Sequence, residues 1–435
     1  MADPTLSPDW RSRVPRHRDV YWIVPLVAAA LAACLPSWLG EIREAPLGTW
    51  RTAYYPSGIY WLDRALHGLG FRDTVVLGKA ILLALGLGAL ALAARRSLGP
   101  GWAAWWVMMA AALHPRLCYD AMSYRDTAGE LAGLGGGLLA LTYLAFPRPA
   151  SSRTAEWLAG AGAWLAFTLG ALVRVTTLTT ALVVVAGAIV CVRAATKRRV
   201  LAVLLAALGV SALGLCARNA RVVGAFRLST NLGYILYMGN HPLYLRAHPQ
   251  YDVDEFFERE FLPVVLAERR RDAGEAVDDE TASDRWFSQE AIAMIERAPA
   301  AFVYRLVLKS YWYWFGIEHL PALGDGGHLS ADGRAVIIDA TDSPRRMWVR
   351  LPYVLYRLAF VPATIGLAWA LARRRIPREW ALFALPLVGL WPPSVLTFPD
   401  TRYHLVAEPW LVIAAVAWLR QVLVGDVDRG RGAIS

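Results

Sequence analysis

Apolar residues are gathered into runs of about 18–22 residues, separated by short polar segments that are rich in arginine. A run of this length spans the hydrocarbon core of a bilayer as an α-helix. Helices and closed barrels alone satisfy their backbone polar groups in that environment. The pattern therefore predicts an all-α integral membrane protein of about ten transmembrane helices, with a partly helical extracytoplasmic region.

The polar segments alternate in charge, and this alternation predicts the topology. The ten predicted spans are 20–39, 75–94, 101–113, 127–146, 156–173, 176–192, 200–217, 351–372, 380–397 and 405–423. Every second connection is basic, which places those connections in the cytoplasm. The predicted plan is a cytoplasmic tail (1–19), a membrane domain (20–217) with an external loop at 40–73, an extracytoplasmic region (218–350), C-terminal membrane helices (351–423) and a second cytoplasmic tail (424–435).

Residues 301–317 are apolar enough to resemble an additional span. A crossing there would move the arginines at 373–375 to the outside, against the charge pattern. We therefore predict an interfacial helix, with its aromatic residues at the depth of the lipid headgroups.

The composition agrees with a membrane protein and excludes some other classes. The chain is 56% hydrophobic and 18% charged, whereas soluble domains average about 45–50% and about 25%. The net charge of +10 is concentrated in the short loops and so reflects topology, not nucleic-acid binding. The four cysteines form no CxxC or Cys/His cluster, so neither a zinc site nor a disulfide framework is predicted. The first apolar run is too long for a signal peptide and is predicted to remain as a helix.

The candidate chemistry lies on the predicted external face, where charged residues meet the ends of apolar runs. Charges in such places are costly and usually functional. Carboxylates there can act as general bases, and arginines can hold a phosphate through bidentate hydrogen bonds. This combination suits transfer of a group from a lipid phosphate, because arginine neutralises the charge that develops on the leaving group. The residues concerned are Glu41, Glu44, Asp120, Arg125, Asp126, Arg174, Arg218, Arg402 and His404.

Several segments, in this order, resemble the GT-C superfamily of membrane glycosyltransferases, in particular its protein-mannosyltransferase-like and aminoarabinose-transferase-like members. The similar segments are Tyr54–Tyr60, Pro115–Asp126, Gly170–Arg174, Arg218–Asn219, Ser229–Asn240, Ile295–Pro299 with Lys309 and Trp312, and Arg402–His404 with Pro409. Together they extend over about residues 20–420.

The resemblance implies an extracytoplasmic transferase in the cell membrane that uses a polyprenyl-phosphate-linked sugar and inverts the anomeric carbon. Such families usually carry an Asp early in the first external loop as the catalytic base. This chain has Glu41 and Glu44 there, and either is the predicted base. Asp126 would orient the acceptor or the base, and substrate-binding roles are predicted for Asp120, Arg125, Arg174, Arg218, Lys309, Arg402, Tyr403 and His404. No metal cluster is visible in the sequence, although the resemblance allows paired carboxylates to recruit a divalent cation, as they could in some relatives.

Two other functions remain open at this stage. A flippase or transporter of lipid-linked saccharides would need charges at the middle of the membrane, whereas here they gather at one face. A non-catalytic scaffold for envelope assembly is compatible with the absence of an early Asp in the first loop.

Overall fold

The computed structural model describes residues 64–70, 74–99, 117, 127–146, 152–242, 261, 263–265, 267–268, 280–315, 327–329, 336–338, 361–373, 377–397 and 405–419. Helices dominate these ranges, as the apolar pattern predicts. The principal helices are α1 (Thr74–Leu98), α2 (Thr127–Ala145), α3 (Arg153–Val173), α4 (Thr176–Cys191), α5 (Ala195–Val223), α6 (Leu232–Asn240), α7 (Glu280–Arg297), α8 (Pro299–Phe315), α9 (Val361–Ala372), α10 (Leu385–Leu396) and α11 (Glu408–Leu419). A 3-10 helix (Arg378–Phe383) leads into α10.

Within the described part of the chain, five helices are long and apolar enough to cross a membrane. They are Leu77–Leu98, Thr127–Ala145, Arg153–Val173, Ala195–Val223 and Arg378–Leu396, and α4, α9 and α11 are shorter apolar helices. Eight of the ten predicted spans therefore contain an apolar helix. The other two, 20–39 and 101–113, lie outside the described residues, so the number of spans stays a prediction.

The end of α5 differs from the predicted boundary at residue 217. The helix continues to Val223 and ends at Gly224, whose φ of 73° lies in the left-handed region that favours glycine. The Gly224 N–H donates to the carbonyl of Ala220. Arg218 therefore lies within the last turns of the helix and not beyond its end.

Glycines allow α2 and α3 to pack in close antiparallel contact. Gly129, Gly133 and Gly137 face Val173, Gly170 and Phe167 in turn. A Cβ atom on Gly133 would lie 2.5 Å from the Gly170 Cα, which shows that the two backbones approach directly. Small residues at four-residue spacing permit this kind of approach between membrane helices.

Helices α1 to α5 and α10 pack against one another, and we call them the helix layer. Thr168 and Trp164 of α3 hydrogen bond with Ser211 of α5, and Gly160 lies against Val200, so α3 and α5 run parallel. α4 and α10 run antiparallel, because Gly187 packs on Leu385 while Thr180 packs on Gly389. The start of α4 and the end of α10 therefore lie at the same side of the layer.

One side of this layer is basic, and we call it the basic end. Its side chains include Arg96, which donates to the Phe146 carbonyl over 3.2 Å, and Arg198, which donates to the Val192 carbonyl over 2.6 Å. Phe146 also stacks with Phe383, which brings the start of the ninth predicted span to the same end. The contacts thus agree with the predicted grouping of basic loops on one face.

The opposite side contains the start of α2, the α3–α4 turn and the ends of α5 and α10, and we call it the junction end. Beyond it, α6 and α7 pack against each other. The Asp284 carboxylate accepts from the Gly233 N–H over 2.7 Å and from the Arg227 guanidinium. This carboxylate accepts from a backbone N–H in the first turn of α6. The side chain of the N-cap residue, Asn231, makes no capping hydrogen bond there.

Two helices follow each other directly in this region, α7 from Glu280 to Arg297 and α8 from Pro299 to Phe315. The predicted interfacial stretch 301–317 is helical as far as Phe315, whereas its depth in a membrane stays a prediction. A short antiparallel ladder, Gly327–Leu329 with Val336–Ile338, was not predicted.

Candidate functional site

Most of the residues predicted to do chemistry lie outside the described part of the chain. These are Glu41, Glu44, Asp120, Arg125, Asp126, Arg402, Tyr403 and His404. Arg174, Arg218 and Lys309 are described, and all three lie at the junction end. The described part of the candidate site therefore consists of these three cations and their contacts.

Arg174 forms an ion pair with Glu130 inside the helix layer. Arg174 Nη1 lies 2.7 Å from Glu130 Oε2, and the Glu130 side chain is completely buried. Thr176 Oγ1 donates to the other carboxylate oxygen over 2.6 Å. The two oxygens of Glu130 thus each have a partner, and the start of α2 is held to the α3–α4 turn.

The backbone of the α3–α4 turn places this arginine. Arg174 is the extended C-cap of α3, its N–H donates to the Gly170 carbonyl over 2.8 Å, and its own carbonyl accepts from Thr177 over 3.0 Å. Because the guanidinium is bonded to Glu130, a structural role is supported directly. A contact of Arg174 with a lipid phosphate stays a prediction.

Arg218 and Asn219 connect α5 with the segment that follows it. Arg218 Nη1 donates to Asn219 Oδ1 over 2.7 Å. The buried Asn219 amide in turn donates to the carbonyls of Arg227 and Leu228, over 2.8 and 3.0 Å. The neutral amide therefore fixes the chain after Gly224, while the arginine beside it carries charge at the partly buried end of the helix.

Lys309 of α8 is completely buried where three elements meet. Its ammonium donates to the Thr397 carbonyl over 2.6 Å and to Asn240 Oδ1 over 3.3 Å. The Asn240 amide also donates to the Leu396 carbonyl over 3.2 Å, and Arg305 Nη1 donates to the Asn240 carbonyl over 2.8 Å. Asn240 and Lys309 thus occupy the carbonyls left unpaired at the C-terminal end of α10, where a cation is favoured by the helix dipole.

The surroundings of Lys309 disfavour its charge. Burial, and secondly the positive charge of Arg305, lower the pKa of Lys309 from 10.5 to about 7. Both acceptors of its ammonium are neutral oxygens, so they stabilise the charge less than a carboxylate would. A lysine with a pKa near 7 can exchange a proton at physiological pH, as a general acid or base must.

A second titratable group lies nearby, in the cluster of aromatic residues between α6 and α7. His241 Nε2 lies 3.9 Å from Glu268, which also accepts from the Tyr237 hydroxyl. Burial lowers the pKa of His241, and the Glu268 charge only partly opposes that effect. The imidazole is edge-on to Phe261, with ring centroids 5.1 Å apart, so apolar surface contributes to its burial.

Two important residues were not among the predicted site residues. Glu130 was visible as a charged residue in the first turns of an apolar helix, and such a position signals a buried partner. Asn240 gave a weaker signal, because an asparagine before a proline segment is typical of a turn. Its complete burial and its bonds to two distant segments depend on tertiary packing.

No group of three or more His, Cys, Asp or Glu side chains that could hold a metal is found within the described ranges. The chain matches no protein-family model, no curated protein and no solved structure.

Proposed function

We propose that this protein is a membrane glycosyltransferase that moves a sugar from a polyprenyl-phosphate donor to an extracytoplasmic acceptor. The proposal starts from the resemblance to the GT-C superfamily. It is supported by one observation: the described segments that carry this resemblance take part in two groups of buried contacts at the junction end, each between residues distant in sequence.

Two buried contacts carry this observation. The Gly170–Arg174 segment is bonded to Glu130, four residues after Asp126. The Ser229–Asn240 segment is bonded to Lys309 and to the end of α10, which directly precedes the Arg402 segment. A transferase that uses these segments in one site requires them to lie close together. Loops with unrelated roles would have no such requirement.

The proposed reaction is a single displacement with inversion. A first-loop carboxylate, Glu44 or Glu41, removes the proton from the acceptor nucleophile, and the nucleophile forms a bond to the anomeric carbon. The bond from that carbon to the phosphate oxygen breaks, and polyprenyl phosphate leaves with the electron pair. Arg218 and Arg402 stabilise its negative charge, and Asp126 orients the acceptor or the base.

The orientation follows from the charge of the two ends. The basic end faces the cytoplasm by the positive-inside rule, so the junction end faces the outside. The donor would lie with its phosphate at the junction end and its isoprenoid chain between the helices. The cell membrane is the location that we propose for the protein.

The test is transfer of labelled sugar from synthetic polyprenyl-phosphate hexoses and pentoses by the purified protein in proteoliposomes. We expect transfer by the parent chain and by Arg199→Ala, an exposed position at the basic end. Asp126→Asn and Arg402→Ala should each reduce transfer by at least about 100-fold, in the range of general acid–base and electrostatic contributions. Retained activity in both variants would overturn the proposed site. Flipping of the donors without transfer would instead identify a transporter.

A further inference from the structure

Helix α8 has a large apolar face that the described residues leave exposed. Val303, Tyr304, Val307 and Tyr311 repeat at the spacing of one helix face and are 59%, 68%, 64% and 58% exposed. The opposite face is buried through Lys309, Trp312 and Tyr313. What covers the exposed face depends on where the helix lies relative to the membrane.

Two hydrogen bonds show how α8 lies along α10. Lys309 Nζ contacts the Thr397 carbonyl at the end of α10, whereas the Tyr313 hydroxyl donates to the Leu387 carbonyl over 3.1 Å. These two carbonyls are ten residues apart, which corresponds to about 15 Å along a helix. The chain therefore enters the helix layer from the junction end as it runs from Lys309 to Tyr313.

The second contact is deep within a candidate span. Leu387 is the tenth of the nineteen residues of Arg378–Leu396, and its distance of about 15 Å from the end is half of a hydrocarbon core of about 30 Å. The C-terminal end of α8 is thus attached to the middle of this span through the Tyr313 side chain. Val303, Tyr304 and Val307 precede Lys309 and therefore lie nearer to the junction end.

The distribution of charge along α8 agrees with insertion of its C-terminal half. Arg305 and Lys309 lie in the part near the junction end, and both are engaged by the carbonyl or amide oxygens around Asn240. Beyond Lys309, residues 310–315 are Ser-Tyr-Trp-Tyr-Trp-Phe and carry no charge. An uncharged aromatic end can enter the bilayer at little cost, whereas a charged one cannot.

We propose that α8 is a half-inserted helix: the exposed side of its C-terminal half, at Tyr311, is covered by the acyl chains of the bilayer, whereas Val303, Tyr304 and Val307 lie toward the headgroup region. The same lipid layer covers the neighbouring apolar positions Val388 and Trp391 of α10, which are 46% and 38% exposed. This placement sharpens the predicted interfacial position and leaves the topology unchanged, because the helix does not cross. The inference depends on membrane insertion of the candidate spans and is independent of sugar transfer.

Site-directed spin labelling in proteoliposomes tests the depth of this face. Single cysteines replace Val303, Val307 and Tyr311 in the full chain, with Cys34, Cys118, Cys191 and Cys216 changed to alanine. Leu165→Cys, on the exposed face of α3, provides a reference for a lipid-facing position in a span, and Arg297→Cys provides one for the polar end of α7. Depth is obtained from collision rates with oxygen and with a water-soluble nickel complex.

We expect the depth to increase from 303 to 307 to 311, by up to about 12 Å over the eight residues. Position 311 should approach the oxygen exposure of 165, and 297 should be open to nickel. Equal shallow depths at all three positions would overturn the inference in favour of a helix flat in the headgroup region. Immobile labels with low exposure to both reagents would overturn it in favour of a protein partner or a second copy. A labelled variant that lost the parent elution profile would be replaced by Tyr304→Cys.

Discussion

The Arg174 guanidinium and the Glu130 carboxylate lie 2.7 Å apart within the helix layer and join the start of α2 to the α3–α4 turn, although the two residues are 44 positions apart in sequence. Taking both charges out of water is costly, so the pair contributes less to stability than its short distance indicates. Removal of one partner is a different matter, because the remaining charge would be buried without compensation.

Glu130→Gln should therefore lower the free energy of unfolding by about 3–5 kcal/mol, the range for breaking a buried ion pair. Combining Glu130→Gln with Arg174→Met should restore part of this loss, since no charge is then left alone. SDS titration of the purified protein in mixed micelles measures the effect. Glu296→Gln, at an exposed position of α7, should change stability by less than about 0.5 kcal/mol. Equal losses in the single and double variants would contradict the interpretation.

Gly133→Ala should destabilise the α2–α3 pair by about 1–3 kcal/mol, because the new methyl group would meet the Gly170 backbone and force the helices apart. The matched control is Gly209→Ala in α5, where nothing lies within 4 Å of the added atom. There the change should be neutral or stabilising by up to about 1 kcal/mol, as expected from helix propensity. The same SDS titration compares the two, and losses of similar size would argue against close backbone contact.

Asp284→Ala should loosen the attachment of α6 to α7, because both the Gly233 N–H and the Arg227 guanidinium lose their acceptor. The expected loss of local stability is about 1–3 kcal/mol. Hydrogen exchange of the peptide that contains 232–240 measures this directly, and exchange should accelerate there more than in α3. Asp284→Asn retains one oxygen acceptor and should have a smaller effect. Unchanged protection in the alanine variant would show that side-chain packing alone holds α6.

Lys309 should make stability depend on pH in a defined window. Its pKa of about 7 in the folded chain lies below its ordinary value of 10.5, so between these values the unfolded chain binds a proton that the folded chain releases. The free energy of unfolding should rise as pH increases from 7 to 10.5, and this gain should be lost as pH falls back to 7.

Lys309→Met should flatten this dependence, because the titrating group is removed. Lys309→Arg should flatten it as well, since arginine stays charged throughout, but at lower stability over the whole range. SDS titrations at a series of pH values between 7 and 10.5 compare the three proteins. An unchanged slope in the methionine variant would assign the pH dependence to another group.

Much of the helix pattern was predictable because burial in a bilayer demands long apolar runs. The helices at 127–145, 153–173 and 176–191 match their predicted limits within a few residues. The end of α5 was missed by six residues, because Arg218 suggested a boundary that the left-handed conformation of Gly224 provides instead. A charged residue locates the membrane surface only to within a few residues, whereas the end of a helix is set by the backbone conformation of its C-terminal residues.

The candidate site was less predictable. Arg174 and Lys309 were singled out by their types and positions, but their partners were not. Glu130 is a neighbour of Arg174 because three glycines bring α2 and α3 together, and Asn240 contacts Lys309 because α6, α8 and α10 meet at one end. Periodicity describes one helix at a time and carries no information on which helices are adjacent.

The sequence by itself determined the helical class, the location of apolar helices and the gathering of basic loops at one face, since each follows from local hydrophobicity and charge. The tertiary structure alone decided that Arg174 is paired with a buried carboxylate, that Lys309 closes the end of α10 and that Tyr313 of α8 contacts Leu387 of α10. The physical reason is that a buried charge or an unpaired carbonyl must find a partner, and only the packing of distant segments determines which partner is within reach.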